Sequence, residues 1–406
     1  MKPGNTDMAR PLGRVLTGRR GRLPRLAAIL LGFTTATACA ASPAQIVAAA
    51  HAAPSTVSYS SGTAVLPRPT GPHAVGRTTL HLLDARRPDP WVPSAGPRQL
   101  MVSMYYPARS KTGGPAPYMT TEEARLFLQA KAPDANIPPD KLSSARTWAH
   151  TDAHPTRGRF PLVVLSPGLA FPRATLTGLA EDLAGRGYVV ALVDHTYETS
   201  GTTFPDGRTL ACVICDKPPA GGPAAIAASR AKDISFVIDQ LTTHHPVWQY
   251  ARMIDPKRIG MAGHSIGGNA AATTMATDHR VRAGVNMDGT FYTPVPATGL
   301  DHRPFLLFGA QHESPGMDPT WEQAWTSLNG WKRWLTVTGS DHGTFTDMPI
   351  LSAWAGKPGP GLSPQRAEQI TRTYVGAFFD LHLKGIPQPL LTGPSPANPE
   401  INFHNP

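Results

Sequence analysis

Residues 259–272 read RIGMAGHSIGGNAA. A β-rich run stops at Gly-His-Ser-Ile-Gly-Gly and passes straight into small, helix-forming residues. Glycines on both sides of Ser265 let a strand turn sharply into a helix and leave the serine at the apex. That G-x-S-x-G pattern reads as a nucleophile elbow. A serine hydroxyl is a poor nucleophile until a base removes its proton. The elbow therefore has chemical meaning only if the chain also supplies a base, an acid to orient it and N–H donors for an oxyanion.

The chain offers each. His342 lies in GSDHGTF, directly after the β-rich run WLTVTG, where a late loop would carry the base. His195 follows an earlier strand, and His264 adjoins Ser265, so its side chain is expected to face away and support the turn. Two carboxylates compete for the acid. Asp288 ends VRAGVNMD, and Glu313 follows FLLFGA; either would orient an imidazole and stabilise its charge. Position alone leans slightly to Asp288 and leaves Glu313 open. Asp341 adjoins His342, and neighbouring side chains diverge, so it is read as structural. The order Ser–acid–His is that of the α/β-hydrolases. The N–H of Ile266, at the start of the following helix, is one expected oxyanion donor, where the helix dipole favours negative charge. The N–H of Leu169, in the loop SPGLAFPR after an earlier strand, is the other.

These residues need a scaffold that places them together. The near-continuous apolar runs FPLVVLSPG and YVVALVDH have the pattern of parallel strands buried on both faces. Between them and beyond, strands alternate with helices. AAIAASRAKDISFVIDQL carries Ile226, Ile234, Val237 and Leu241 at helical spacing. TTEEARLFLQAKA reads as a short amphipathic helix within the otherwise irregular residues 108–158, which could cover the site. The alternation predicts an α/β-hydrolase fold: a mostly parallel central sheet with helices on both faces. Polar residues at the C-terminal ends of its strands are the natural active site. Residues 76–385 read as one catalytic domain, 1–53 as an export signal and flexible leader, and 386–406 as a proline-rich C-terminal tail on the surface.

The chain also resembles the plasma-type platelet-activating factor acetylhydrolases and their bacterial relatives. The similarity is carried by RQLMVSMYYPA, SPGL, RAKDISFVIDQL, RIGMAGHSIGG, GVNMDG and GSDHGTF, in that order. It implies that Asp288, after the strand that follows the elbow helix, is the acid. It further implies a calcium-independent serine esterase acting on short-acyl esters, including acetylated or oxidised phospholipids, with no cofactor and no metal. Two departures stand out. Ala170 and Phe171 follow SPGL where bacterial relatives often have a further glycine, and Cys212-Val-Ile-Cys215 is unusual. Both would line the entrance and bear on substrate preference. A broader secreted lipase or polyester hydrolase is the rival within the class. A peptidase, or a non-catalytic binding protein on the same scaffold, is the rival outside it.

Composition narrows the partners. The net charge is +10 over 406 residues, but seven basic residues against Asp7 within 1–38 account for six of those charges. No basic patch interleaved with aromatics remains to suggest nucleic acid. The same N-terminal stretch has a basic region ending at Arg25, the apolar run LAAILLGFTTATA and small residues after it, which is the pattern of a secretion signal. The run is short for a membrane span, and the flanks of Arg19-Arg20 match a twin-arginine signal poorly. Cleavage near residues 38–53 is the favoured expectation, and acylation at Cys39, which would make a lipoprotein, the alternative. The reading expects an exported protein with a small-molecule or lipid ester substrate, transient contact with a lipid surface and no transmembrane span in the mature chain. Cys212 and Cys215 lack the second pair that a zinc site would need; a local disulfide or two free thiols are the open alternatives.

Overall fold

Burial on both faces explains why the central strands read as nearly continuous apolar runs. The computed structural model describes residues 62–110, 112–359 and 361–405. The expected leader, residues 1–53 with Cys39, lies outside the described residues. In chain order the elements are β1 (Ala74–Pro88), β2 (Pro97–Ala108), β3 (Gly114–Pro115), α1 (Thr121–Lys131), α2 (Pro139–Ser143), β4 (Ala149–Thr151), β5 (Phe160–Ser166), α3 (Thr177–Gly185), β6 (Val189–His195), β7 (Thr202–Thr203), β8 (Thr209–Leu210), α4 (Gly222–Thr242), β9 (Ile254–His264), α5 (Ile266–Thr277), β10 (Val281–Met287), β11 (Phe305–Ala310), α6 (Pro319–Ser327), β12 (Lys332–Val337), α7 (Met348–Trp354), α8 (Pro364–Lys384) and β13 (Ile401–His404).

The main sheet runs β13-β12-β11-β10-β9-β5-β6-β2-β1-β4-β3. Its middle, from β12 to β6, is parallel throughout. β1 pairs antiparallel with β2, and β2 joins β6 antiparallel. One face is packed by α4, α5 and α6 through Ile234, Val237, Leu241, Met275 and Trp321. The other is packed by α3 and α8 through Leu179, Leu183, Ile370, Tyr374 and Phe378. This is an α/β-hydrolase fold. The small residues of α5, Ala270 to Ala272, are buried, which lets that helix lie close on the sheet.

Two regions differ from expectation. The stretch after Gly385, expected as a surface tail, returns to the sheet: β13 pairs antiparallel with β12, and Leu391 and Ile401 are buried. The segment 108–158 is less irregular than its sequence suggests. The capping box of Thr120 and Glu123 starts α1, and Phe127, Ile137 and Leu142 pack with Leu351 and Trp354 of α7 in a small separate core. That core borders the loop after β5 through Phe171.

Candidate functional site

Three loops at the C-terminal ends of parallel strands converge. The first is the elbow. β9 ends at His264, α5 begins at Ile266, and Ser265 between them has φ 57° and ψ −127°. A non-glycine residue in that region is strained, and such strain persists only where the surroundings enforce it. They do so here. The Ser265 N–H donates to the Met287 carbonyl at 2.8 Å, which ties the elbow to the end of β10. The glycines permit close backbone approach. A Cβ on Gly267 would lie 2.1 Å from the Ser166 carbonyl oxygen, and one on Gly289 would lie 2.0 Å from that of Ser265.

The second loop follows β10. Asp288 is buried, with φ 58°. Its N–H donates to the Phe308 carbonyl at 3.0 Å. Its Oδ1 accepts from the Ala310 N–H at 2.6 Å, and its Oδ2 meets His342 Nδ1 at 2.5 Å. The third loop, after β12, carries His342, whose side chain is half exposed. With its Nδ1–H donating to Asp288, the ring leaves Nε2 bare as a proton acceptor. Asp341 stays out of this pairing. It accepts from Thr344 Oγ1 at 3.0 Å and shapes the turn.

His264, expected to support the Ser265 turn, instead braces the loop that carries the candidate base. Its Nε2–H donates to the His342 carbonyl at 2.7 Å, and the two rings lie 4.6 Å apart. Burial, with His342 nearby, pushes its pKa down to about 3, so it is a neutral strut. Glu313, the alternative acid, makes no hydrogen bond to His342. Burial, and then the charges of Asp288 and Asp318, push its pKa up to about 8. It is therefore a neutral carboxyl at pH 7. His312 lies between these groups, with Nε2 3.5 Å from Asp288 Oδ2 and 3.6 Å from Glu313 Oε1.

The loop after β5 abuts the elbow: a Cβ on Gly168 would lie 3.3 Å from that of Ser265. Among the described residues, neither the Leu169 nor the Ile266 N–H donates to a protein acceptor. Ala170, with φ 63°, donates its N–H to the Glu198 carbonyl at 2.8 Å. Phe171 meets His264 edge-on at 5.7 Å and Phe127 at 6.0 Å.

Beneath this loop lies a charged cluster that the sequence reading missed. Ser166 Oγ contacts His195 Nε2 at 3.0 Å, and His195 Nδ1 contacts Asp233 Oδ2 at 2.8 Å. Arg98 reaches Asp233 at 2.7 Å, Asp89 at 2.9 Å and Glu198 at 3.1 Å. Arg230 donates to Glu198 Oε2 at 2.7 Å, to Ser166 Oγ at 3.2 Å and to the Pro167 carbonyl. Burial opposes charge on Asp233, but Arg98 and His195 outweigh it and hold the carboxyl well below its ordinary range. A signal for α4's part existed: Arg230 and Asp233 fall on the same helical stripe as Ile226, Val237 and Leu241, where buried charges must be paired.

Two groups could offer metal ligands: Asp288, His312 and His342, and the buried His195, Glu198 and Asp233. The carboxylates of the second already face Arg98 and Arg230, whose charges repel a cation. In the first, Asp288 and His342 are bonded to each other.

Known proteins align with this arrangement. Residues 58–207 and 234–357 match the family described as "Platelet-activating factor acetylhydrolase, isoform II". A protein of Arthroderma benhamiae named "Probable 1-alkyl-2-acetylglycerophosphocholine esterase" is 28% identical over 84% of this chain and 93% of its own length. The "Platelet-activating factor acetylhydrolase" of Bos taurus is 23% identical over 72% of this chain and 70% of its own. Among solved structures, a ferulic acid esterase from Streptomyces cinnamoneus superposes with TM-score 0.76 at 44% identity, covering 85% of this chain and all of that one. The family match extends over more than half of the sequence, and the named relatives cleave esters: the chain belongs to the isoform II platelet-activating factor acetylhydrolase family and is a carboxylic ester hydrolase.

Proposed function

We propose that the protein is an exported serine esterase acting on short-acyl esters through a covalent acyl-enzyme, with Ser265, His342 and Asp288 as its triad. The observation that carries this reading is the 2.5 Å contact between His342 Nδ1 and an Asp288 carboxylate locked by the Ala310 N–H, one strand from the strained Ser265 turn. Ser265 Oγ attacks the ester carbonyl carbon while His342 Nε2 takes its proton. Negative charge gathers on the carbonyl oxygen, where the Leu169 and Ile266 N–H groups receive it; losing one such donor typically costs about 10²–10³ in rate. The tetrahedral species collapses, the C–O bond to the alcohol breaks, and His342 returns the proton to the departing oxygen. Water then repeats the sequence on the acyl-enzyme and releases the acid.

Short-acyl preference is supported by the relatives named for acetylglycerophosphocholine. The structural neighbour's name favours a second reading, esters of an aromatic acid such as ferulate. A broader lipase or polyester hydrolase is the third. Transient contact with a lipid surface fits a phospholipid-like substrate; no helix of the described residues is long and apolar enough to cross a membrane. We further read the first fifty or so residues as the leader and the catalytic domain as running from β1 to β13, past the boundary at 385 that the sequence suggested. The test is turnover of p-nitrophenyl esters of increasing acyl length, and of methyl ferulate, with Ser265→Ala alongside. Acetate and butyrate turned over and lost in the variant is the expected result. A maximum at long chains would indicate a lipase, and a maximum at ferulate the aromatic reading. Undiminished turnover by Ser265→Ala would refute the triad.

A further inference from the structure

The family match breaks between residues 207 and 234, and the segment it skips is packed against the oxyanion loops. Cys212 and Cys215 form a disulfide with Cα atoms 5.5 Å apart. The bridged turn hangs from the Tyr197 carbonyl, which accepts the Val213 and Ile214 N–H groups at 2.9 and 3.3 Å. Tyr197 has φ 67° and directly precedes Glu198, whose carbonyl holds Ala170. One short loop thus anchors both the bridged turn and the strand-end loop of Leu169. Ile214 is 3% exposed. It shares a small apolar cluster with Ile266 and with Ile226 and Ala227 of α4, and Leu169 and Cys212 pack on its edge. Leu169 and Ile266, the two candidate oxyanion donors, therefore have side chains in one cluster with the bridged turn.

We propose that the Cys212–Cys215 turn is the apolar wall of the substrate site beside the oxyanion donors and limits how bulky an ester the site admits. The inference rests on Ser265 being the nucleophile. A four-residue turn closed by a disulfide and hung from one carbonyl cannot retreat far, so a larger acyl or alcohol group meets Ile214 and its neighbours. Apolar walls of this kind discriminate through the volume that they leave.

The test compares kcat/KM within two series: p-nitrophenyl acetate against octanoate, and methyl against benzyl butyrate. The proteins are the wild type, Cys212→Ser/Cys215→Ser, and Ile214→Ala with the disulfide intact. In the variants the large-to-small ratio is expected to rise about tenfold in at least one series. Ratios flat within twofold in both series, whatever happens to melting temperature, would make the turn a stabilising clamp and overturn the proposal. If the double cysteine variant does not fold, Ile214→Ala decides alone. Flat ratios in the variants, with wild-type turnover abolished by Ser265→Ala, defeat only the wall. Turnover that survives Ser265→Ala defeats the esterase reading beneath it.

Discussion

Two places in this molecule gather a serine, a histidine and an aspartate at the ends of parallel strands. At the ends of β9, β10 and β12, Ser265 neighbours the pair His342–Asp288. At the ends of β5 and β6, Ser166 contacts His195 Nε2, and His195 Nδ1 contacts Asp233. The residue types match, and in both the imidazole pairs with the carboxylate through Nδ1. The surroundings do not match. The side chain of His342 is 51% exposed, whereas Ser166, His195 and Asp233 are fully buried. The buried serine oxygen already receives a guanidinium N–H from Arg230 at 3.2 Å, and its backbone is an extended strand end. Burial, then the charge of Arg230, lowers the pKa of His195 and keeps it neutral. Arg98 and Arg230 convert this alignment into a rivet that fixes the loop of Pro167 and Leu169. Chemistry therefore follows from access, backbone strain and a free proton acceptor, not from three residue types in a row.

Paired substitutions separate the two. The largest effect is expected at Ser265. Ser265→Ala should lower kcat/KM for p-nitrophenyl acetate by about 10⁴ or more with the fold intact, while Ser166→Ala should cost less than about tenfold. A comparable loss in both would erase the distinction. Asp288→Asn should lower kcat by about 10³–10⁴, because the imidazole loses the tautomer that exposes Nε2. Asp233→Asn should instead appear in a urea titration as a loss of about 3–5 kcal/mol, since Arg98 and His195 lose a buried partner. Ser166→Ala should cost about 1–3 kcal/mol in the same assay, by leaving Arg230 short of an acceptor and His195 Nε2 short of a donor.

The smallest predicted effect concerns Glu313, the carboxyl beside the candidate triad. Its pKa of about 8 in the folded protein lies above the ordinary 4.5. Between those values the folded state binds the extra proton, so the stability it contributes is present at low pH and is lost as pH rises through 8. Glu313→Gln should leave thermal stability at pH 4 unchanged and raise the melting temperature at pH 9 by about 2–4 °C. No gain at pH 9 would mean that the carboxyl ionises without penalty.

What could be read from the sequence divides along the same line. The elbow was legible because its strain and close backbone approach demand a particular local string of glycines. His342 was legible from chain order, and α4 from its periodicity. Asp288 against Glu313 was not, on position alone: both follow parallel strands, and only the third dimension shows which carboxylate reaches the imidazole. The rivet was invisible because Arg98, the His195–Glu198 turn and Arg230 come from stretches that nothing local links. Charged residues on the apolar stripe of α4 were the one clue. β13 was lost among prolines, as four residues carry too little alternation to announce a strand. The Cys212–Cys215 bridge depended on a turn geometry that its spacing allowed but did not require.

The most direct test of the central claim is covalent. The folded protein is treated with a fluorophosphonate, which forms a stable bond only with an activated serine, and the adduct is mapped by peptide mass spectrometry. The account predicts stoichiometric labelling of Ser265, loss of ester turnover in step with it, and no label on Ser166. Label elsewhere, or a fully hydrolytic protein with Ser265 unmodified, would contradict it.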